Sequence, residues 1–498
     1  MIKNFKWLLL VSLAFVACNN DDEDTTPAEV PVTPGSAVFT KYVALGDSFA
    51  AGYSDGALFV KGQGGSYANI LSQQFIAAGG GDFKTPLTSD NVGGLLFGGV
   101  PNPKFPPRFA ILGFNPDGTP KIAPVPFAST TEVMAHITGP FNNLGVPGAK
   151  SFHLIAPGYG NPAGLSLGAA NPYFVRFATV PGTTILKDAT DQKPTFFSLF
   201  IGGNDVLSYA TSGGAGKDQK GNPNPATYGS DDITDPTVFA NVYTALVGGL
   251  TAGGAKGVVA NLPYVNALPY FTTVPYNPAA LTAPLVALLN SGYATYNAGL
   301  LTMVKNGLLT EAEAVRRTVK FAAGNGNAVV IVDSYLTDLS AYGLPSYRQA
   351  TKEDFMVLTS RAFIGTTVGG DPTKVNGLSV PLADNWVLSK DEVKEVSTAT
   401  DAYNITIEAI AKEKGLAFVD TRTVMAKLSN GGLNFGNFNM TSAYVTGGAF
   451  SLDGIHPSAR GYGLIANIFI DAINAKYGST LRHVDLSTYP IQYPAILQ

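Results

Sequence analysis

An α/β fold, built on a mostly parallel sheet covered on both faces, is predicted by three features of the sequence. Apolar runs of strand length alternate along the chain with stretches whose apolar residues have helical spacing. The runs read as strands buried on both faces, the signature of a parallel sheet. The stretches that carry chemistry fall where those strands end, the edge at which ligands bind in open parallel sheets.

The 498 residues suffice for a large core, as one enlarged domain or two. Charged residues make up only 14%, against roughly 25% in an average globular chain, and Gly numbers 56 and Pro 33. Long ordered loops are therefore expected in place of charged helical surfaces. The net charge of −4 comes with no Lys/Arg run, which argues against nucleic acid as a partner. With Cys18 as the single cysteine, disulfide and zinc–thiolate schemes are excluded.

Residues 1–17 read as a secretory signal: Lys3 and Lys6 precede an apolar run, Trp7 to Ala17, that is short for a membrane span. The ending Phe15-Val16-Ala17-Cys18 resembles a bacterial lipoprotein cleavage box, which implies lipidation of Cys18; the alternative is ordinary cleavage near Ala17. The acidic run Asp21-Asp22-Glu23-Asp24 resembles the surface-export signal of Bacteroidetes-type lipoproteins, or else is a solvated tether. A lipid-anchored protein on the outer membrane, exposed at the cell surface or facing the periplasm, is the expectation. Residues 18–36, with Pro27, Pro31 and Pro34, read as a disordered spacer, so folded structure is expected from about Ala37.

The first strand, Phe39 to Leu45, breaks at Gly46 and delivers Gly46-Asp47-Ser48 to its C-terminal end. Small apolar residues follow, as at the start of a packed helix. Ser48 there has a hydroxyl at the sheet rim and an N–H in an unpaired first helical turn, the needs of a nucleophile beside an oxyanion hole. Taken alone, Gly-Asp-Ser is a common turn with Ser48 as an N-cap. Ser66 to Ala78 is helical, stopped by Gly79-Gly80-Gly81. From about 93 to 135 lies an insertion rich in Gly, Pro and Phe, in which regular elements are not expected to persist. Gly145, within Asn142–Ala149, is read as part of a tight loop whose backbone N–H can approach a ligand.

Thr195 to Ile201 is a buried strand running into Gly202-Gly203-Asn204-Asp205, which sets the Asn204 amide at the same edge as Ser48. Val238 to Leu250 is helical and Gly257 to Pro263 is the next strand. A long excursion, residues 264–388, holds helices near Ala283–Val304 and Leu309–Val319 and a strand-like run at Ala328–Val332. Asp391 to Lys414 is an amphipathic helix, Leu416 to Asp420 a strand, Asn430 to Gly448 a loop, and Gly461 to Ala475 the closing helix.

Of the four histidines, only His456 sits in an Asp-x-x-His-Pro loop between a strand region and a helix. Asp453, three residues earlier, can accept from ring Nδ1–H, leaving Nε2 to take the Ser48 proton. His136, His153 and His483 are read as ordinary core or surface histidines.

Together, Gly46-Asp47-Ser48, Gly145, Gly202-Gly203-Asn204-Asp205 and Asp453-Gly454-Ile455-His456-Pro457 resemble the four ordered blocks of the SGNH/GDSL hydrolase superfamily. The loops near Asn142–Gly158 and Phe196–Tyr209 also resemble those of long Bacteroidetes lipoprotein members of the superfamily. The resemblance implies a flavodoxin-like three-layer α/β/α fold, Ser48 as nucleophile, His456 as base and Asp453 as orienting acid. It implies Ser48 N–H, Gly145 N–H and Asn204 as oxyanion donors. The activity it implies is ester hydrolysis through an acyl-enzyme, on lipid or short-acyl esters, with no metal or organic cofactor needed. The alternatives are a carbohydrate O-acetylesterase, favoured by surface anchoring and by Tyr/Asn loops at 157–174 expected to be exposed, and a non-catalytic surface-binding lipoprotein.

Overall fold

The computed structural model describes residues 31–435 and 438–497. The leader, Cys18 and the acidic run lie outside the described residues. Five parallel strands form the central sheet: β1 Tyr42–Gly46, β2 Asn143–Gly145, β3 Phe196–Phe200, β4 Lys256–Ala260 and β5 Ala417–Val419. Their spatial order is β2-β1-β3-β4-β5, so the chain reverses direction between β1 and β3. In an open parallel sheet that reversal opens a crevice at the strands' C-terminal ends.

Seven helices concern the site: α1 Ser48–Ala51, α2 Tyr67–Ile76, α3 Asn204–Thr211, α4 Pro236–Thr251, α5 Lys390–Lys414, α6 Thr421–Ser429 and α7 Ala459–Tyr477. Helices α2 and α7 pack together on one face of the sheet and α4 and α5 on the other, giving three layers. Alternation along β3 shows the two faces. Phe196 meets Phe75 of α2 and Phe200 meets Phe469 of α7, whereas Phe197 closes on Gly257 of β4 from the opposite side. On the second face, Phe239 of α4 stacks on Tyr403 of α5 with ring centroids 4.2 Å apart. Burying each such side chain contributes roughly 1.5–3 kcal/mol.

The helix ends follow local chemistry. The Ser458 hydroxyl accepts from Gly461 N–H to start α7, and Gly478 ends it in the left-handed region. Glu392 accepts from Ser389 N–H at 2.6 Å to start α5, and Gly415 ends it.

Several expectations are corrected. Gly145 lies in β2, a buried three-residue edge strand in register with Gly46, not in a loop; three residues are too few to show strand periodicity. The 93–135 insertion holds a hairpin, Phe109–Phe114 with Pro120–Pro124, because its prolines fall at strand ends where no ladder donor is needed. Folded structure begins before Ala37: Ser36 N–H donates to Tyr477 O at 2.8 Å, and Thr480 Oγ1 donates to Pro31 O. Residues 430–448 include the strand pair Leu433–Phe435 and Phe438–Met440.

Between β4 and α5 the chain builds two small cores of its own. One gathers Leu289, Tyr293, Leu300 and Val330 along the helix Ala283–Lys305; the other gathers Val274, Ile331, Met356 and Leu382. A buried Arg348, paired with Asp333 and Asp354 at 2.6 and 2.7 Å, ties the second together. No helix among the described residues is long and apolar enough to cross a membrane.

Candidate active site

β1 ends at Gly46, and Asp47 then caps α1 by accepting from Phe49 N–H at 3.0 Å. Asp47, not Ser48, is therefore the N-cap, and Ser48 is the first helical residue. Its N–H lies in the turn that no intrahelical carbonyl can satisfy. Ser48 is 6% exposed, and its hydroxyl lies 2.9 Å from His456 Nε2. The other ring nitrogen, Nδ1, lies 2.8 Å from Asp453 Oδ2. With Nδ1–H donating to the carboxylate, Nε2 is left as an acceptor facing Ser48. The imidazole sits between Tyr53 and Phe49, ring centroids 4.7 and 5.6 Å away.

Asp453 is held by many donors. Oδ1 accepts from Ile455 N–H, His456 N–H and Ser451 Oγ, and Oδ2 from Gly56 N–H as well as the imidazole. Burial alone raises its pKa, but the facing His456 and these hydrogen bonds outweigh it and hold the carboxyl below the usual carboxylate range. Asp453 therefore stays ionised as an orienting acid must. Asp47 goes the other way: burial pushes it up to about 7, against the Phe49 N–H bond and the nearby His456.

Asn204 starts α3 directly after β3. Its Nδ2 donates to Ala149 O at 3.0 Å, which fixes the amide plane and leaves one hydrogen for a ligand. Asp205 accepts from Ser151 through both its N–H and its hydroxyl, at 2.8 and 2.7 Å. These bonds bind the β3–α3 turn to the 146–151 loop.

Gly145 does not supply a free N–H. Its N–H donates to Asn143 Oδ1 at 3.0 Å, and a Cβ there would lie 2.3 Å from Ala51 N. Glycine is required at 145 because α1 packs directly on β2. Three residues on, Gly148 is exposed, with φ +80° and open space where a Cβ would stand. Its N–H bonds to no protein atom among the described residues, and its neighbour Ala149 anchors Asn204. The sequence signal was the Pro147-Gly148 dipeptide, a turn former with a left-handed second residue. Ser48, His456, Asp453 and Asn204 are thus brought to one rim of the sheet, and Gly148, one residue before the Ala149 that anchors Asn204, carries an N–H without a protein partner among the described residues.

The remaining histidines lie apart from this chain of bonds. His136 Nε2 bonds Ala178 O, and His483 pairs with Asp471 on the surface. His153 accepts from Lys150 N–H and stacks on Tyr159; burial lowers its pKa to about 3.

No family model and no curated protein matches the chain. Among solved structures, two variants of the acetyl-xylooligosaccharide esterase Axe2 from Geobacillus stearothermophilus are each 11% identical with a TM-score of 0.31. They cover 88% and 89% of this chain and 96% and 97% of their own. A catalytic mutant of Axe2, described as an acetylxylan esterase, has the same identity and TM-score. A likeness at this level assigns no residue of this chain and no activity.

Proposed function

We propose that the chain is a serine carboxylic ester hydrolase of the SGNH/GDSL type. The observation that carries this is the continuous bond chain from Ser48 Oγ through the His456 ring to Asp453. Ser48 attacks the ester carbonyl as His456 takes its proton, and Asp453 stabilises the imidazolium. Ser48 N–H, Gly148 N–H and Asn204 Nδ2 hold the oxyanion. The protonated His456 releases the alcohol, then acts as base for the water that cleaves the acyl-enzyme. The test is hydrolysis of an aryl ester series by the protein from residue 31 onward, with Ser48→Ala alongside. Turnover by the variant equal to wild type overturns the assignment, as does a fluorophosphonate that fails to label Ser48.

On the substrate, short acyl groups are favoured over lipid tails. An apolar cavity of about 80 Å³ adjoins the site, lined by Phe49, Pro457, Phe200, Val424, Leu464 and Ile468. At that volume it takes only a short alkyl chain. A carbohydrate ester is the second reading, and a groove favours it. Thr272, Arg361, Ser429, Thr441 and Tyr444 line a space of about 610 Å³ that carries no acidic side chain. Both its walls bond to the loop of Asp453: Tyr444 Oη donates to Leu452 O, and Tyr270 N–H, two residues before Thr272, donates to Gly454 O. The 157–174 loop gives no such support, since Tyr159, Asn171 and Tyr173 are buried. Acetylated xylan or pectin turned over with a kcat/KM above that of aryl acetates supports the glycan reading; no turnover of either polymer removes it. Anchoring through Cys18 is part of the proposal, and Cys18→Ser is expected to leave the membrane fraction with specific activity unchanged.

A further inference from the structure

We infer that Asp55 is a positioning residue of this site, templating the 451–457 loop so that Asp453 meets His456. The inference rests on the esterase reading above. Asp55 stands seven residues after Ser48 and is 1% exposed, with a left-handed φ of +53° that only Gly, Asn and Asp adopt at low cost. Both its ends grip the distant loop. Its N–H donates to Ser451 Oγ at 2.9 Å, and its Oδ1 accepts from Leu452 N–H at 2.9 Å. Ser451 Oγ, so placed, donates to Asp453 Oδ1 at 3.1 Å. Gly56 N–H, the next donor along, reaches Asp453 Oδ2 at 2.9 Å. On the outer side, Asp55 O accepts from Phe109 N–H of the hairpin. The left-handed turn at 55 is thus what aims two successive N–H groups at the loop, one to Ser451 and one to Asp453.

A loop with so many long-range bonds has one purpose served by a carboxylate. Asp55 Oδ2 is buried and has no hydrogen-bond partner. An aliphatic residue would fill the space without that desolvation penalty, so the position retains an acid for what its other oxygen orders. The charged and titratable groups that face it are Asp453 on the loop, Arg108 before the hairpin, Tyr444, and Tyr493 in the C-terminal segment. Burial pushes Asp55 up to about 7, with Asp453 adding to the rise and the Leu452 N–H bond and Arg108 opposing it.

Two variants test this, each checked for folding by circular dichroism and thermal melting. Asp55→Ala removes the acceptor for Leu452 N–H; kcat is expected to fall about ten- to hundredfold, with KM changed less than about twofold, as for a small displacement of a catalytic group. Asp55→Asn keeps an acceptor oxygen but no charge. Its kcat and KM are expected within about threefold of wild type, because the side-chain oxygen still accepts from Leu452 N–H and Asn tolerates the left-handed φ, so the loss in Asp55→Ala is rescued. A folded Asp55→Ala with wild-type kcat overturns the inference while leaving the esterase reading intact. Should Asp55→Ala not fold, the decision passes to Ser451→Ala, which removes the bridge from Asp55 N–H to Asp453 Oδ1; kcat is expected to fall about tenfold, and a folded Ser451→Ala with wild-type kcat overturns the inference. A wild type without ester turnover overturns both readings.

Discussion

Replacing Asn204 by alanine isolates the electrostatic half of the proposed mechanism. Nδ2 carries two hydrogens; one is committed to Ala149 O at 3.0 Å and the other is left for the developing oxyanion. Loss of one preorganised donor costs about 2.7–4 kcal/mol of transition-state stabilisation, a fall in kcat of about 10²–10³. Ground-state binding changes little, because a carbonyl oxygen accepts far more weakly than an oxyanion, so KM is expected within about threefold. Freeing Ala149 O costs about 1 kcal/mol, a small decrease in Tm. Asn204→Asp is a sharper version: it turns the donor into an acceptor, repelling both Ala149 O and the oxyanion, and is expected to be slower still. Steady-state kinetics on an aryl acetate, with active sites counted by fluorophosphonate burst, measures both. The reasoning is refuted if the loss appears in KM alone, or if Asn204→Asp turns over as fast as wild type.

Three further outcomes follow from the geometry. Asp453→Asn is expected to lower kcat by about 10⁴, since its NH₂ opposes the tautomer Ser48 needs and Gly454 O is already taken by Tyr270 N–H; a less than tenfold loss in kcat refutes it. Gly145→Ala is expected to lose about 1–3 kcal/mol and most activity, its Cβ striking Ala51 N in the helix that carries Ser48. Gly148→Ala meets no atom but is strained by its φ of +80°, so it loses some Tm as well, and the result that counts against the argument is a Gly145→Ala variant with wild-type Tm and turnover. Burial raises Asp47 and Asp55 to about 7 and Glu392 to about 8. Folding favours their protonated forms, so the stability they add is present below the ordinary carboxylate range and is lost as pH rises through 7–8. Tm measured from pH 6 to 9 is expected to fall, and a rise contradicts it.

How much of this was legible in the sequence depended on element length. Thr195–Ile201 is a long enough apolar run, and Asp391–Lys414 long enough to show its helical period, and the structure has them as β3 and α5 within two residues. The short edge strand β2 shows no period, so nothing local marks Gly145 as the packing glycine that the structure makes it. Ser48, Asn204 and the Asp453–His456 pair were readable because each follows an apolar run or lies within one short loop. Asp55 was not, since its partners Ser451 and Leu452 lie 396 and 397 positions away and nothing local marks it.

Ser48 and the imidazole that activates it are 408 positions apart in the chain. At translation rates of about 5–20 residues per second, the hydroxyl is made roughly 20–80 s before its base. In the proposed mechanism Ser48 has no partner to take its proton during that interval, and the nascent polypeptide turns over no ester. The clamp on Asp453 extends this dependence, since its donors and the bonds behind them come from residues 55, 56, 109, 270 and 444 as well as the loop itself. Reactivity is therefore the last property the molecule acquires. An activity-based label taken up by Ser48 reports that every one of these distant segments has reached its place, which makes the nucleophile a gauge of complete assembly.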